Sequence, residues 1–85
     1  MKEQEIGYVS KFFGQISVAA IEITVGELHA GDKIRIVGHT TDFKMAIESM
    51  HIEHASVESA VKDDSIGVKV TEKAHQNDKV VKLVD

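Results

Sequence analysis

The chain contains no cysteine, no proline and no tryptophan among its 85 residues. Without cysteine there can be no disulfide bond, no thiolate metal ligand and no cysteine nucleophile. Hydrophobic runs are also short, and none approaches the roughly 20 apolar residues of a membrane-spanning helix. The first residues lack the apolar core of a signal peptide. We therefore expect a cytoplasmic protein that has no membrane partner.

The length fits one domain, and we predict a single domain over residues 1–85. Ten Lys and Arg stand against 14 Asp and Glu, which gives a formal net charge of −4. Phosphate-backbone binding draws its affinity from basic residues, so this charge disfavours broad nucleic-acid binding and DNA as a partner. The basic residues Lys33, Arg35 and Lys44 are interleaved with apolar residues, which predicts the solvent-facing side of strands.

Apolar residues mostly alternate with polar ones, as they do in β-strands that are buried on one face. Residues 32–37 are the clearest case, with Ile34 and Ile36 predicted inward and Arg35 outward. The same pattern predicts that the following side chains point inward: Phe43, Met45, Ile47, Ile66, Val68, Val70, Val81 and Leu83. Glycines at short intervals mark turns between these segments. The fold class is predicted to be all-β.

One apolar run changes phase. In residues 16–25, Ile16, Val18 and Ala20 share one phase while Ile21 and Ile23 share the other. A β-bulge at Ala20–Ile21 would explain this change, because an extra residue shifts the alternation. A helix is the alternative for residues 45–61, which contain several helix-favouring residues. Alternation over residues 49–54 favours a strand there.

A turn followed by Asp and a strand recurs at residues 31–37, 64–68 and 77–83. This repetition is typical of a meander or Greek-key barrel. Residues 25–38, which read VGELHAGDKIRIVG, resemble the barrel domain that follows the GTPase domain in elongation factors Tu and 1-alpha. The resemblance continues through residues 47–54 and 64–68 and covers most of the chain from Ile16 to Val84.

A second resemblance rests on residues 38–43, which read GHTTDF, and on residues 48–54. They are similar to small stand-alone proteins of archaea and bacteria that are described as translation-elongation-factor-like. A similar barrel is appended to the C-terminus of some U32-type peptidases. The resemblance implies one closed six-stranded antiparallel Greek-key barrel and no established biochemical activity.

Two features limit what the resemblance implies. The chain has no Gly-x-x-x-x-Gly-Lys-Ser/Thr loop, so GTPase chemistry is excluded. The positions that match the aminoacyl-tRNA pocket of the elongation factors are His51, Glu53 and His54, whose identities differ from the family pattern. We therefore do not transfer tRNA binding to this chain, but we retain these three residues as candidate binding positions.

Histidine is the residue type that most suggests a site. On a helix, His51 and His54 would share a face and form a metal pair, whereas on a strand they face opposite sides. The strand prediction therefore implies no metal and no cofactor. The alternative role of His54 is to bond a loop carbonyl at the strand end.

The segment His39, Thr40, Thr41 and Asp42 is predicted to connect two strands. These side chains either form a polar rim that holds a ligand or partner, or bond backbone groups within the turn. A Thr nucleophile needs a base and an orienting acid, and nothing in the sequence brings such groups together. We predict no catalytic residue and no enzyme activity.

Lys11 and Phe13 form a third candidate binding position. With Tyr8 and Phe12 they could make a small platform on which bases stack, as exposed aromatic residues do in nucleic-acid-binding barrels. In the alternative, one of the two Phe side chains plugs the end of the barrel or makes a dimer contact. The sequence leaves the oligomeric state open.

The functional hypothesis is a non-catalytic binding module that contacts RNA or a translation-related protein. It rests on resemblance, and a fold does not determine a function. The alternative is a protein-interaction or accessory module, for example a partner of a U32-type peptidase, without nucleic-acid binding. A third hypothesis is a small-molecule or metal binder that uses the His-rich end.

Overall fold

A computed structural model describes residues 2–84, and all their regular structure is β-strand. The ten strands are β1 (Lys2–Phe13), β2 (Val18–Ile23), β3 (Glu27–His29), β4 (Lys33–Val37), β5 (Asp42–Ala46), β6 (Met50–Ile52), β7 (Ala55–Val57), β8 (Ser59–Val61), β9 (Ser65–Lys69) and β10 (Lys79–Val84). The all-β prediction is confirmed, and residues 45–61 contain strands where a helix was the alternative. Within this range no helix has the length and apolarity to cross a bilayer.

The strand order differs from the predicted closed six-stranded barrel. Eight strands form one antiparallel sheet in the order β5, β4, β10, β1, β2, β9, β6, β7, and β3 pairs with β8 as a separate ribbon. Over residues 2–84 no pairing joins β5 to β7, so the sheet does not close into a barrel. The physical reason is a hairpin in which β7 folds back on β6 and takes its remaining edge.

The predicted bulge lies in a different strand. Val9 pairs with Ile21 and Lys11 pairs with Ala20, so the additional residue is Ser10 in β1. Strand β2 is regular, with Ala19, Ile21 and Ile23 buried. A bulge at Ala20–Ile21 is therefore wrong. The apparent phase change arises because the outward face of β2 is itself apolar.

The core consists mainly of side chains that point inward from the strands. Ile34 and Ile36 are fully buried, as predicted, while Arg35 faces outward. Phe43, Ile47, Ile66, Val68 and Val70 are also buried, and Met45 packs against them while partly exposed. In β10 the predicted phase is wrong, because Val80 is buried while Val81 and Leu83 are only half-buried.

Candidate functional site

An open groove of about 760 Å³ lies on the outer face of β2, β9 and β6. Its apolar lining consists of Phe13, Ile16, Val18, Ala20 and Ile66. The other lining residues are Ser49, His51, Glu53, His54, Ser65, Gly67 and Lys69. Sites for small ligands and short segments commonly have volumes of roughly 300–1,000 Å³ and apolar walls with a few polar groups.

The floor of the groove follows from strand register. Ala20 pairs with Lys11 on one side and with Gly67 on the other, and Gly67 pairs with His51. Directly paired residues share a face, so these four residues form a row across β1, β2, β9 and β6. Ala20 and Gly67 have the smallest side chains in the row. The depression therefore lies at its centre.

Packing does not require glycine at position 67. A Cβ atom there would lie 3.5 Å from Val18 Cγ1 and 4.0 Å from the His51 carbonyl oxygen, which are ordinary contacts. Glycine weakens a strand interior and often marks a place where another chain or ligand approaches closely. The fold would therefore accept a larger residue at position 67, and the effect of glycine there is to keep the floor of the groove open.

The first wall is the neighbouring row, in which Val18 pairs with Phe13 and with Lys69. Phe13 is 41% exposed, and Ile16 in the turn between β1 and β2 is 62% exposed. Contiguous exposed apolar residues on a small protein mark an interaction surface more often than isolated ones do. This wall is the most exposed apolar part of the groove.

The opposite wall is the hairpin turn between β6 and β7. Ile52 pairs with Ala55, so Glu53 and His54 are the two central residues of the turn. Both have positive φ angles, 49° and 69°. Turns with two positive φ angles favour Asn-Gly, and a bulky residue in this region carries roughly 1–3 kcal/mol of strain. The two groove-lining side chains thus occupy a turn for which they are poorly suited.

Lys11 and Phe13 lie together at the margin of the groove. The Lys11 Nζ atom is 5.1 Å from the centroid of the Phe13 ring, within range of a cation–π interaction. Tyr8, which is 40% exposed, lies on the same face because it pairs with Glu22. Phe12 packs against the core instead. The two aromatic side chains on this face are therefore Phe13 and Tyr8.

The predicted His39–Asp42 segment lies elsewhere. His39 and Thr40 are exposed in the connection between β4 and β5, and Asp42 begins β5. Five strands separate β5 from β6 in the sheet order, and none of the four residues lines the groove. The structure thus brings together Phe13, His51, Glu53 and His54, with Lys11 beside them, and leaves His39–Asp42 as a second, separate candidate position.

Asp42 is held by an ion pair on the outer face of β4 and β5. Its two carboxylate oxygens accept hydrogen bonds from Arg35 Nε and Nη2, each at 2.7 Å, and Arg35 Nη1 donates to Glu3 at 2.9 Å. These hydrogen bonds hold the pKa of Asp42 below its ordinary value and raise the pKa of Arg35 further above its own. The carboxylate of Asp42 is therefore already engaged within the chain.

Thr41 takes part in a part-buried contact with His75 and Asp78, which sequence reasoning did not connect to it. Its hydroxyl lies 2.7 Å from His75 Nδ1, and it is only 4% exposed. Asp78 Oδ2 lies 3.7 Å from the same ring nitrogen and accepts a hydrogen bond from the His75 backbone N–H at 2.8 Å. A catalytic triad places the hydroxyl and the carboxylate on opposite ring nitrogens. This arrangement lacks that geometry, so it orients the loop rather than activating Thr41.

The histidines His51 and His54 lie on different parts of the hairpin, the first in β6 and the second in the turn. Between Lys2 and Val84 no group of three or more His, Asp or Glu side chains is arranged to hold a metal ion.

Sequence reasoning missed Ile16, Val18, Ala20 and Gly67 as site residues. The signal was present in the first three, because they form the outward apolar phase of the run over residues 16–25. The change of phase in this run predicts a bulge in β2 instead.

No family model matches the chain. Among curated proteins, it is 38% identical over 79 residues to a protein named collagenase from Porphyromonas gingivalis. This alignment covers 92% of the chain and 22% of that protein. It is 40% identical over 80 residues to an uncharacterized protease of Methanocaldococcus jannaschii. This second alignment covers 93% of the chain and 19% of that protein. The chain therefore spans about a fifth of the length of the curated relatives it matches.

Among solved structures, the chain is similar to the C-terminal domain of a Geobacillus thermoleovorans protein described as a U32 peptidase. The TM-score is 0.87 at 17% identity, with 95% of this chain and 93% of that domain covered. The selenomethionine variant of that domain gives a TM-score of 0.84 at 16% identity. The appended-domain part of the resemblance is supported, and the elongation-factor part stays a prediction. The chain has the fold of a U32 peptidase C-terminal domain.

Proposed function

We propose that this chain is a non-catalytic protein-binding module that serves a U32-type peptidase. The observation that carries the proposal is the open groove whose wall exposes Phe13 and Ile16 to solvent. The similarity to about a fifth of two proteases, at the level of one whole domain, supports a role beside a larger peptidase body. The groove is the surface that contacts the partner.

The polar groups of the groove support a binding role over a catalytic one. The Ser65 hydroxyl donates a hydrogen bond to Glu22 at 2.5 Å, so its partner is a carboxylate rather than an imidazole. Nucleophilic catalysis needs a hydroxyl within hydrogen-bond reach of a base that a third group orients. No such chain of contacts links Ser65 to His51 or His54 in residues 2–84.

RNA binding is the competing function. The groove offers Phe13 as a stacking surface and Lys11 and Lys69 as phosphate partners, which is little for a chain of net charge −4. The relatives described above are proteases and peptidase domains, and none is a translation factor. Protein binding therefore has the stronger support.

The proposal is tested by measuring the affinity of the chain for the U32-type peptidase of its own source organism, by biolayer interferometry. Ile16→Ser should weaken binding at least about tenfold, equivalent to 1.4 kcal/mol. Val61→Ser is the matched control, because Val61 is 50% exposed on β8, outside the groove. Equal losses in both variants, or no binding by the unsubstituted chain, would contradict the proposal.

The same measurement distinguishes the RNA alternative. Binding to RNA through Lys contacts weakens steeply as salt rises, whereas an apolar protein contact does not. If single-stranded RNA binds the chain at low salt, and Ile16→Ser leaves peptidase binding unchanged, RNA is the better assignment.

A further inference from the structure

We propose that the groove binds an extended peptide segment in which a large apolar side chain is flanked by an acidic residue. This inference rests on the proposed function and names the chemistry of the partner. The apolar side chain occupies the depression over Ala20 and Gly67. The acidic side chain lies against Lys11 and Lys69.

The dimensions of the groove fit a short extended segment. The row from Lys11 to His51 crosses four neighbouring strands. Three strand spacings amount to roughly 14 Å, which an extended chain covers in about four residues. The row has Lys11 at one end and His51 at the other, and its two smallest residues lie between them. A segment lying along this row therefore places one side chain in the depression.

Charge favours an acidic neighbour for that side chain. Lys69 lines the groove in the row of Val18 and Phe13, and Lys11 lies over the Phe13 ring. Across residues 2–84 neither amine has a carboxylate oxygen within 4.0 Å. Two lysines without ion-pair partners thus stand beside the apolar wall of a chain whose net charge is −4.

The carboxylates near the groove lie on its other sides. Glu53 lines it from the hairpin turn, between the two histidines in sequence. Glu22 approaches it through Ser65, whose hydroxyl bonds its carboxylate. The Phe13 and Val18 side is therefore positive and the opposite sides carry the negative groups. Complementary charge of this kind adds specificity and orientation more than affinity.

The strained turn supports the same assignment of the groove. Strain in sparsely populated backbone regions persists at binding sites, where the side chains are needed. Glu53 and His54 both have positive φ, and both line the groove. A turn of Asn-Gly would relax the backbone, but it would remove both side chains from the wall.

The test is an NMR titration of the isotopically labelled full chain with acetylated and amidated peptides of about six residues. Three peptides contain a central Phe flanked by Glu, by Gln or by Lys. The Glu peptide should bind about tenfold more tightly than the Lys peptide, and the amide signals of Gly67 and His51 should shift. Equal affinities, tighter binding of the Lys peptide, or no binding of any peptide at millimolar concentration would overturn the inference.

Variants assign the preference to named residues. Lys11→Gln together with Lys69→Gln should bring the Glu and Lys peptides to equal affinity, whereas Lys73→Gln, a lysine of the loop before β10, should not. Gly67→Val should weaken all three peptides because it fills the depression. A preference that survives the double substitution contradicts the assignment, as does a short RNA that displaces the Glu peptide.

The two proposals fail separately. If the U32-type peptidase binds in an Ile16-dependent way but the peptides show no preference for acid, only this inference fails. If acidic peptides bind the groove and the peptidase does not, the groove stands and the partnership with the peptidase fails.

Discussion

The two halves of the outer sheet face have the same strand geometry but present chemically different surfaces. On β4 and β5, Arg35 lies between Glu3 and Asp42 and donates hydrogen bonds to both. Between β2 and β9, the outward side chains of Val18 and Ala20 are apolar and border an open groove. In the first half Arg35, Glu3 and Asp42 satisfy one another, whereas the second half leaves apolar surface in water.

The difference indicates where the chain depends on a partner. Removing apolar surface from water is favourable by about 25 cal/mol per Å². An exposed apolar groove can therefore contribute favourable free energy when a partner covers it. An ion-paired face gains little from further burial, because its charges would lose water. Substitutions in the first half should therefore change stability, and substitutions in the second should change binding.

The largest expected effect comes from replacing one glycine in each half with alanine. A Cβ atom at Gly38 would overlap the carboxylate of Asp78, which is 5% exposed and accepts the His75 N–H. Gly38→Ala should lower the free energy of unfolding by about 3 kcal/mol, because Asp78 must move and lose that bond. Gly67→Ala should raise it by about 0.5 kcal/mol, because alanine is better than glycine in a strand.

Urea denaturation of both variants checks this pair, and peptide titration supplies the second reading. Gly67→Ala should weaken peptide binding even though it stabilises the fold. If Gly38→Ala were neutral, or if Gly67→Ala destabilised the chain by a similar amount, the contrast between the two halves would be lost.

A smaller effect, in this case a gain of stability, is expected at the strained turn. Replacing Glu53 and His54 with Asn and Gly should raise the free energy of unfolding by about 1–2 kcal/mol, because both residues have positive φ. The same change should weaken peptide binding, since both side chains line the groove. Asn77→Gly is the control, because Asn77 has a φ of 74° and Asn already tolerates this region.

Thermal unfolding measures the gain, and the same peptide titration measures the loss. A turn variant that is no more stable than the unsubstituted chain would show that the turn holds no strain. A variant that is more stable and binds as before would remove Glu53 and His54 from the groove's function.

Sequence reasoning succeeded where period and residue type agreed. In β4, charged and β-branched residues alternate without ambiguity, and this pattern predicts Ile34 and Ile36 inward and Arg35 outward, as observed. In β10, Val80 and Val81 are both apolar, and the alternation can start from either. A slip of one residue exchanges the two faces of a strand. The alternation therefore predicts Val81 and Leu83 inward, whereas Val80 is the buried residue.

The groove was harder to predict for a physical reason. The sequence indicates His51, Glu53, His54 and Phe13 individually, because each side chain can bind a ligand by itself. Ala20 and Gly67 carry none, and they form a floor only because β2 pairs with β9 in a particular register. That register is a long-range property. Closure of the sheet is also long-range, and the hairpin that places β7 on β6 does not follow from the alternation of residues 49–54.

The smallest expected effect is a pH dependence confined to the ion-paired half. Hydrogen bonds from Arg35 hold the pKa of Asp42 below its unfolded value of about 3.9. A carboxyl with a lowered pKa stabilises the fold above its unfolded pKa, and this contribution is lost as pH falls through the folded pKa. Asp42→Asn should therefore lower the urea midpoint at pH 7, and the difference should shrink below about pH 4.

Repeating the substitution in an Arg35→Gln background should abolish this pH dependence, since no guanidinium then bonds position 42. A difference that persists at low pH, or one that is unaffected by Arg35→Gln, would mean that the two halves do not differ in how their charges stabilise the fold.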